Sequence, residues 1–396
     1  MRVDYLGRAT EGHLARRLAG TPAPLPAGAS TAGSPVLDVS TLVLRYARVS
    51  ADGALASRRL GYVVELEAGL GSLSLLQYRL QAVLGSTTIN VGQMRVPFSY
   101  NWAINESRLV FPERSIATEQ FRYDYDIGVS LETPVYHDRV SLIVGGFNGG
   151  GSVLGHNDNL DPMLAVRLEA RSRDGAGAPR AEGAADERAP AALVVGASVL
   201  ANYVPAPPSY GYLSGTPQAP RQLVLDSNGD GLPDGITTLD AELDVKLTRR
   251  GFSLEAEGYF RHEWWHDIPA AQPVTPTAFA PRRDFWGAFA QAIQSFPKQR
   301  IKLGARLAVT DLSPLSPGWQ RYETHSCVAT GGQLYACALP YASRRLEASG
   351  VLVYSLVPRT LQLEAMYSFL RWSSASGAAP PDPREHRAIA AIQLSF

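Results

Sequence analysis

The sequence HEWWH at residues 262–266 is the first pattern whose residue types and spacing could perform chemistry. On an α-helix, His262 and His266 would lie one turn apart and could bind zinc, with Glu263 as the general base of a hydrolase. The ten residues before the pattern alternate between apolar and polar side chains, which indicates a β-strand. On a strand the two histidines would lie about 13 Å apart, too far to share a metal whose ligands lie at about 2 Å. We therefore expect no enzyme.

The sequence DSNGDGLPD at 226–234 has the spacing of a calcium-binding loop. Side chains with oxygen ligands occupy positions 1, 3, 5 and 9 of such a loop, and these are Asp226, Asn228, Asp230 and Asp234. Gly231 stands at the sharp turn, but position 12 is Thr237 in place of the usual glutamate, so Asp240 or Glu242 would have to substitute. We expect Ca²⁺ to stabilise the loop 201–239 without a catalytic role. The alternative is an acidic loop that binds no metal.

Two cysteines, Cys327 and Cys337, lie ten residues apart. In an oxidising compartment this spacing favours a disulfide that closes one exposed loop, at 311–344. Two buried free thiols are the alternative.

Composition limits the class of protein. Charged residues make up 19% of the 396 residues, below the roughly 25% of a typical soluble protein. No run of 18 uncharged apolar residues occurs, which excludes a transmembrane helix. The 37 basic residues balance 37 acidic ones, so no nucleic-acid partner is indicated. Charged residues also interrupt positions 1–20, so no signal-peptide core is visible there.

The elements that must position these residues are long strands. At 300–309 the apolar side chains Ile301, Leu303 and Leu307 alternate with Lys302 and Arg306. Such runs reach ten to twelve residues, whereas soluble strands typically have about five or six. A strand that crosses a bilayer needs about 9–11 residues. The periodicity therefore predicts an all-β fold, a transmembrane antiparallel β-barrel.

Fifteen such strands can be counted, and bacterial barrels have even numbers, so we expect about sixteen strands, with one more near the N-terminus. Residues 1–35 are otherwise expected to be a poorly ordered N-terminal segment, and 36–396 a single barrel. Short periplasmic turns should alternate with long extracellular loops. The connection 172–190 breaks this alternation, and its composition indicates a disordered insertion.

Five blocks in order carry a family resemblance. They are GQMRVPFSYNWAINESRLVFPERS (92–115), YDIGVSL (125–131), GGFNGGG (145–151), and the longer blocks at 287–313 and 354–372. Together they resemble the phosphate-selective porin O and P family, over about residues 40 to 396.

The resemblance implies a sixteen-stranded outer-membrane channel, a homotrimer, with a long loop folded inward to narrow it. By position that constriction loop is 96–120. Basic side chains lining it would favour anions, and the family motifs place Arg95, Glu113 and Arg114 there. Arg108 and Arg122 lie nearby in sequence without matching a motif. Asp124, Asp126 and Glu132 introduce the opposite charge, and selectivity follows the charges actually present.

The sequence thus predicts a porin of the bacterial outer membrane, in contact with its lipid, through which small solutes or ions diffuse passively. An anion or phosphate preference is the narrower expectation. The alternative from another class is a non-conducting barrel that acts in adhesion or structure through its long loops. A zinc hydrolase that uses the HEWWH residues is the third.

Overall fold

Long antiparallel strands make up most of the described chain. The structure, a computed structural model, describes residues 1–10, 39–55, 57, 59–69, 72–137, 139–150, 161–172, 182, 191–205, 235–265, 282–311, 326–328, 334–336, 344–357, 360–373 and 384–395. Within these residues no helix is long and apolar enough to cross a membrane.

The strands are, in chain order, β1 (Arg2–Thr10), β2 (Val39–Ala54), β3 (Leu60–Gly69), β4 (Ser72–Leu84), β5 (Thr87–Arg95), β6 (Tyr125–Tyr136), β7 (Val140–Phe147), β8 (Met163–Arg171), β9 (Ala192–Pro205), β10 (Gly235–Arg249), β11 (Phe252–Trp265), β12 (Arg282–Phe296), β13 (Ile301–Asp311), β14 (Ser326–Val328), β15 (Leu334–Ala336), β16 (Arg344–Val357), β17 (Leu361–Ser373) and β18 (Arg384–Leu394). Two short helices, α1 (Tyr100–Ala103) and α2 (Ile116–Phe121), lie between β5 and β6.

Sixteen of the described strands form one closed ring, each paired with its neighbour, while β14 and β15 make a separate two-stranded sheet. The ring closes because β1 pairs with both β2 and β18, so that Tyr5 lies opposite Leu42 on one side and Ala390 on the other. The predicted closed barrel and its strand number are confirmed.

The further strand expected near the N-terminus is β1, and it lies within residues 1–35, which were otherwise expected to be poorly ordered. Arg2–Thr10 is not a poorly ordered segment but the strand that closes the barrel. Arg2 and Asp4 are buried on its inner face and form an ion pair with a 2.6 Å separation of Nε and Oδ1. The charges that hid this strand among the polar N-terminal residues are therefore the ones that point into the barrel.

The two faces of each strand have opposite character. On β16, Leu346 and Leu352 point outward and are exposed, while Arg345, Glu347 and Val353, at the alternate positions, point inward and are buried. Successive side chains of a strand alternate between its faces. In the described strands the outward face is thus largely apolar and exposed, and many charged side chains are buried on the inner face.

Aromatic residues border the outer apolar surface. On β11, Phe252 and Phe260 are exposed eight residues apart with Leu254 exposed between them, a span of about 26 Å along the strand. On β12, Trp286 and Phe296 repeat the arrangement. An apolar band of about 25 Å between two aromatic girdles is typical of a barrel in a bilayer.

The two ends of the barrel differ in their connections. At one end, the short-turn rim, β4–β5, β10–β11, β12–β13 and β16–β17 are joined by a few residues each. At the other, the long-loop rim, connections such as those between β5 and β6 or β9 and β10 are much longer. The β8–β9 connection is the long one at the short-turn rim, where the sequence predicted an insertion.

Candidate functional site

The connection from β5 to β6, residues 96–124, lies inside the barrel; we call it the lumenal segment. Its Glu113 carbonyl accepts a 2.8 Å hydrogen bond from Arg306 on β13, and its Ser99 hydroxyl donates to Glu257 on β11 at 2.7 Å. On another side, Arg387 of β18 donates to the Glu113 carboxylate at 2.7 Å. A chain segment can reach strands so far apart in a closed ring only from within. The predicted constriction loop 96–120 is part of this segment, and its role in narrowing a passage stays a prediction.

Capping side chains fold the lumenal segment into short helical turns. Ser99 accepts from the Trp102 N–H at the start of α1, and Ser115 accepts from the Thr118 N–H at the start of α2. Asn105 caps the 3₁₀ turn Glu106–Arg108 in the same way. Serine and asparagine satisfy the free N–H groups of a helix start. The polar residues of this stretch therefore give it a compact local structure.

Glu106 is the electrostatic centre of the lumenal segment. Its carboxylate lies 2.8 Å from Arg95 Nη2 and 3.1 Å from Arg114 Nη2, and it also pairs with Arg48 of β2. Burial acts to raise the pKa of Glu106, but Arg95, Arg114 and Arg48 hold that pKa well below its usual value. The sequence did not single out Glu106, because its partners come from three separate stretches of the chain.

Trp102 brings together three of the predicted arginines. The guanidinium carbons of Arg95, Arg114 and Arg122 lie 5.0, 4.8 and 4.1 Å from the centre of its ring system. Cations within about 6 Å of an indole face are attracted to it. Arg108 lies apart from this group with an exposed side chain.

These guanidiniums are engaged within the protein. Arg95 donates to the Tyr125 hydroxyl and to the carbonyls of Trp102 and Ile104 as well as to Glu106. Arg122 pairs with Glu119 and Asp124. The family resemblance assigns these basic residues to an anion-selective constriction. Here carboxylates pair with their charges, and carbonyls accept further hydrogen bonds from them.

Glu113 ties the lumenal segment to the wall near the point where the ring closes. Its carboxylate lies 3.4 Å from Arg45 Nη1 on β2 and 2.7 Å from Arg387 Nη1 on β18. Burial acts to raise the pKa of Glu113, but Arg387, Arg45 and Arg306 outweigh it and hold that pKa at about 2. This carboxylate is therefore ionised at any physiological pH.

Two aromatic side chains of the lumenal segment dock against glycines of the inner wall. A Cβ at Gly287 would overlap the Phe121 ring, and one at Gly304 would lie 3.1 Å from Phe111. Phe121 also stacks on Tyr259, with ring centroids 5.5 Å apart. The inner wall therefore carries apolar residues that contact the segment and hold it in place.

The inner wall of β8, β10 and β11 is rich in carboxylates. Asp240, Glu242, Asp244, Glu255, Glu257 and Glu263 are buried there. Arg167 pairs with Asp244 at 2.7 Å and with Glu242 at 3.0 Å, and Arg261 pairs with Asp240 at 2.5 Å. Charges of both signs thus share this wall, as on the lumenal segment.

The remaining predicted sites have different outcomes. The calcium-like residues Asp226, Asn228, Asp230 and Asp234 lie outside the described residues, as do Cys337 and the side chain of Cys327. The described part of the chain contains no group of three or more His, Cys, Asp or Glu residues placed to hold a metal ion. The HEWWH pattern begins on β11, where His262 and Glu263 point to opposite faces.

Comparison with known proteins supports a fold for this chain but does not assign it to a family. No family profile matches this sequence, and no curated protein matches it. The resemblance to the phosphate-selective porin O and P family therefore stays a prediction.

Solved structures do match over the whole chain. The outer membrane channel DcaP of Acinetobacter baumannii is 12% identical with a TM-score of 0.59, and the match covers 100% of this chain and 95% of that one. The anion-selective porin from Comamonas acidovorans is 10% identical with a TM-score of 0.54, covering 100% and 97%. The chain has the fold of an outer-membrane porin.

A third match is to a trimer. The in-vitro folded outer membrane protein OmpT of Vibrio cholerae, in its trimer form, is 10% identical with a TM-score of 0.51, and the match covers 100% of this chain and 97% of that one. Identities this low show a shared fold and leave activity and assembly to be argued from this chain's own residues.

Proposed function

We propose that this protein is a porin of the bacterial outer membrane, through which small solutes or ions diffuse passively. The observation that carries this proposal is the closed ring of sixteen strands with exposed apolar side chains outside and charged side chains inside. Closure leaves no unpaired strand edge, which is what a β-structure needs to cross a bilayer. Outer-membrane lipid would contact the band between the aromatic residues.

The lumenal segment would act as the constriction. It crosses the barrel interior and is held by ion pairs at Glu106 and Glu113 and by the docking of Phe111 and Phe121. Because the segment is anchored at several points, the passage beside it would keep a constant width. That passage would select solutes by size and charge.

Weak charge selectivity follows from the pairing of charges. Arg95, Arg114 and Arg122 are balanced by Glu106, Glu119 and Asp124, and selectivity depends on the net charge that a passing ion meets. We therefore favour diffusion of general solutes. An anion or phosphate preference is the narrower version, and inhibition of chloride current by added phosphate would distinguish it.

A second candidate is a non-conducting barrel that serves adhesion or structure through its long loops. The observation that favours it is the number of sides on which the lumenal segment is tied to the wall, from Arg48 of β2 to Glu257 of β11 and Arg387 of β18. If the segment filled the interior completely, no solute would pass.

Swelling of proteoliposomes in sugars of increasing size tests both candidates. A porin gives fast swelling with small sugars and slower swelling with larger ones, whereas a filled barrel gives no swelling above that of empty liposomes. Migration of unheated and boiled samples on a gel would show that the barrel used is folded.

Three further features are proposed on sequence grounds or by likeness. A homotrimer is proposed from the trimeric form of a protein with the same fold, and cross-linking in detergent tests it. Calcium in the 226–237 loop would be detected by calorimetry and lost in Asp226→Asn/Asp230→Asn. A disulfide between Cys327 and Cys337 would be detected by mass spectrometry without reduction.

A further inference from the structure

Glu182, from the β8–β9 connection, places a buried carboxylate against the lumenal segment. Its Oε1 accepts from the Asn101 side-chain amide at 3.0 Å and from that of Gln291, on β12, at 2.9 Å. Its Oε2 accepts from the backbone N–H groups of Val110 and Phe111 at 2.7 and 3.1 Å. Only 4% of Glu182 is exposed.

The two backbone donors are consecutive, which makes a small concave site for an anion. The Glu182 N–H in turn donates to the Arg108 carbonyl at 3.1 Å. Val110 and Phe111 are almost fully buried, and a buried N–H without an acceptor is costly. Residues 108–111, which we call the tip, thus receive from Glu182 the acceptor that their fold requires.

Glu182 and the lumenal segment belong to connections at opposite ends of the barrel. The segment starts after Arg95 and ends before Tyr125 at the long-loop rim, whereas β8 ends at Arg171 and β9 begins at Ala192 at the short-turn rim. The tip reaches far toward the short-turn rim, since the neighbouring Ser107 carbonyl accepts from Gln393 at the end of β18.

We propose that Glu182 is a positioning residue that anchors the tip from the short-turn rim and thereby sets the width of the passage beside it. The effect on width rests on the proposed channel function. Its donors come from the lumenal segment and from β12, so it joins the segment to the wall. Four donors converge on its two carboxylate oxygens, which suits an anchor made by one side chain.

Amide hydrogen exchange tests the anchor without reference to transport. In Glu182→Ala, the peptide that carries the Val110 and Phe111 amides should exchange about tenfold faster or more, because their shared acceptor is lost. Glu182→Gln, of nearly the same size, should give an intermediate increase, since one of its two acceptors becomes an N–H₂ donor. Asp284→Ala, which removes an exposed carboxylate at the long-loop end of β12, should leave that peptide unchanged. Unchanged exchange in both Glu182 variants would overturn the proposal.

Bilayer recordings test the consequence for the passage. Glu182→Ala and Glu182→Gln should conduct in larger or more variable steps than the wild-type protein, while Asp284→Ala, at the long-loop end of β12, keeps wild-type step variability. Fast exchange with unaltered conductance steps would overturn the role in setting the width. A wild-type protein without conductance would instead refute the channel function, and the exchange result would still decide whether Glu182 anchors the tip. Boiled and unheated gel samples would show that each variant is folded.

Discussion

The Arg167 guanidinium on β8 reaches across β9 and lies 2.7 Å from the Asp244 carboxylate on β10. The strand between them offers Gly196, which is paired with Glu169 on one side and with Asp244 on the other. A Cβ at Gly196 would overlap both Asp244 Oδ2 and Arg167 Nη2. The ion pair therefore exists because the intervening residue has no side chain.

Gly196→Ala should destabilise the barrel by about 3 kcal/mol, because the added methyl group forces Arg167 away from Asp244 and leaves the buried Asp244 carboxylate without this close cation. Urea unfolding of the protein in lipid or detergent measures this. Gly258→Ala is the matched control, since a Cβ there meets nothing within 4 Å. Equal stability of the two variants would show that the Arg167–Asp244 pair is not formed.

The docking of the lumenal segment through Glu113 should be insensitive to pH until strongly acidic conditions. The pKa of Glu113 is lowered from 4.5 to about 2, so its contribution is complete above about pH 4.5 and is lost as the pH falls toward 2. We expect single-channel conductance to stay level from pH 7 to 5 and to become variable near pH 2–3. Glu113→Gln should show that variable behaviour at neutral pH, and a level trace from this variant would contradict the account.

Glu106→Gln should shift ion selectivity toward anions. The substitution removes the negative charge that Arg48, Arg95 and Arg114 share, and the segment gains net positive charge beside the passage. The reversal potential in a potassium chloride gradient measures the change. Asp284→Asn, which removes an exposed carboxylate at the long-loop end of β12 and outside the segment, should give a smaller shift, and a larger shift in this control would contradict the central role of Glu106.

A charged substitution on the outward face of the barrel should cost more stability the nearer it lies to the middle of the bilayer. Leu307, near the middle of β13, is 67% exposed, and Leu307→Arg should cost about 2–4 kcal/mol if lipid surrounds it. Leu356 is also exposed but lies near the end of β16 at the short-turn rim, so Leu356→Arg should cost about 0–1 kcal/mol. Unfolding from liposomes compares them. Equal costs would mean that no bilayer surrounds this band.

The strands could be predicted because their signal is local. On β13, alternation from Ile301 to Val309 places apolar side chains outside and charges inside, and a period of two needs no knowledge of the partner strand. β1 was expected near the N-terminus only from the even strand number, and its bounds could not be given, because Arg2 and Asp4 occupy its inner face among the many charged N-terminal residues. Charged residues on both sides of a segment argue against a strand in the apolar core of a soluble protein. The same charges are compatible with a barrel strand, because its inner face lies in a charged interior.

The interior could be predicted only in part. The family motifs pointed to Arg95, Glu113 and Arg114, and the structure places all three on the lumenal segment or at its start. Their partners Glu106 and Trp102 were missed, because these two residues stand out only through contacts between stretches of chain that are distant in sequence. Glu182 was missed for a further reason, since it lies within a composition that indicates disorder and becomes visible through its contacts with the tip.

Single-channel recording of the purified, folded protein in a planar bilayer tests the central claim most directly. The account predicts discrete conductance steps in potassium chloride with weak ion selectivity, and steps of altered size in Glu106→Gln. A folded barrel that inserts into the bilayer and carries no current under any applied voltage would contradict it and would leave the non-conducting barrel as the function.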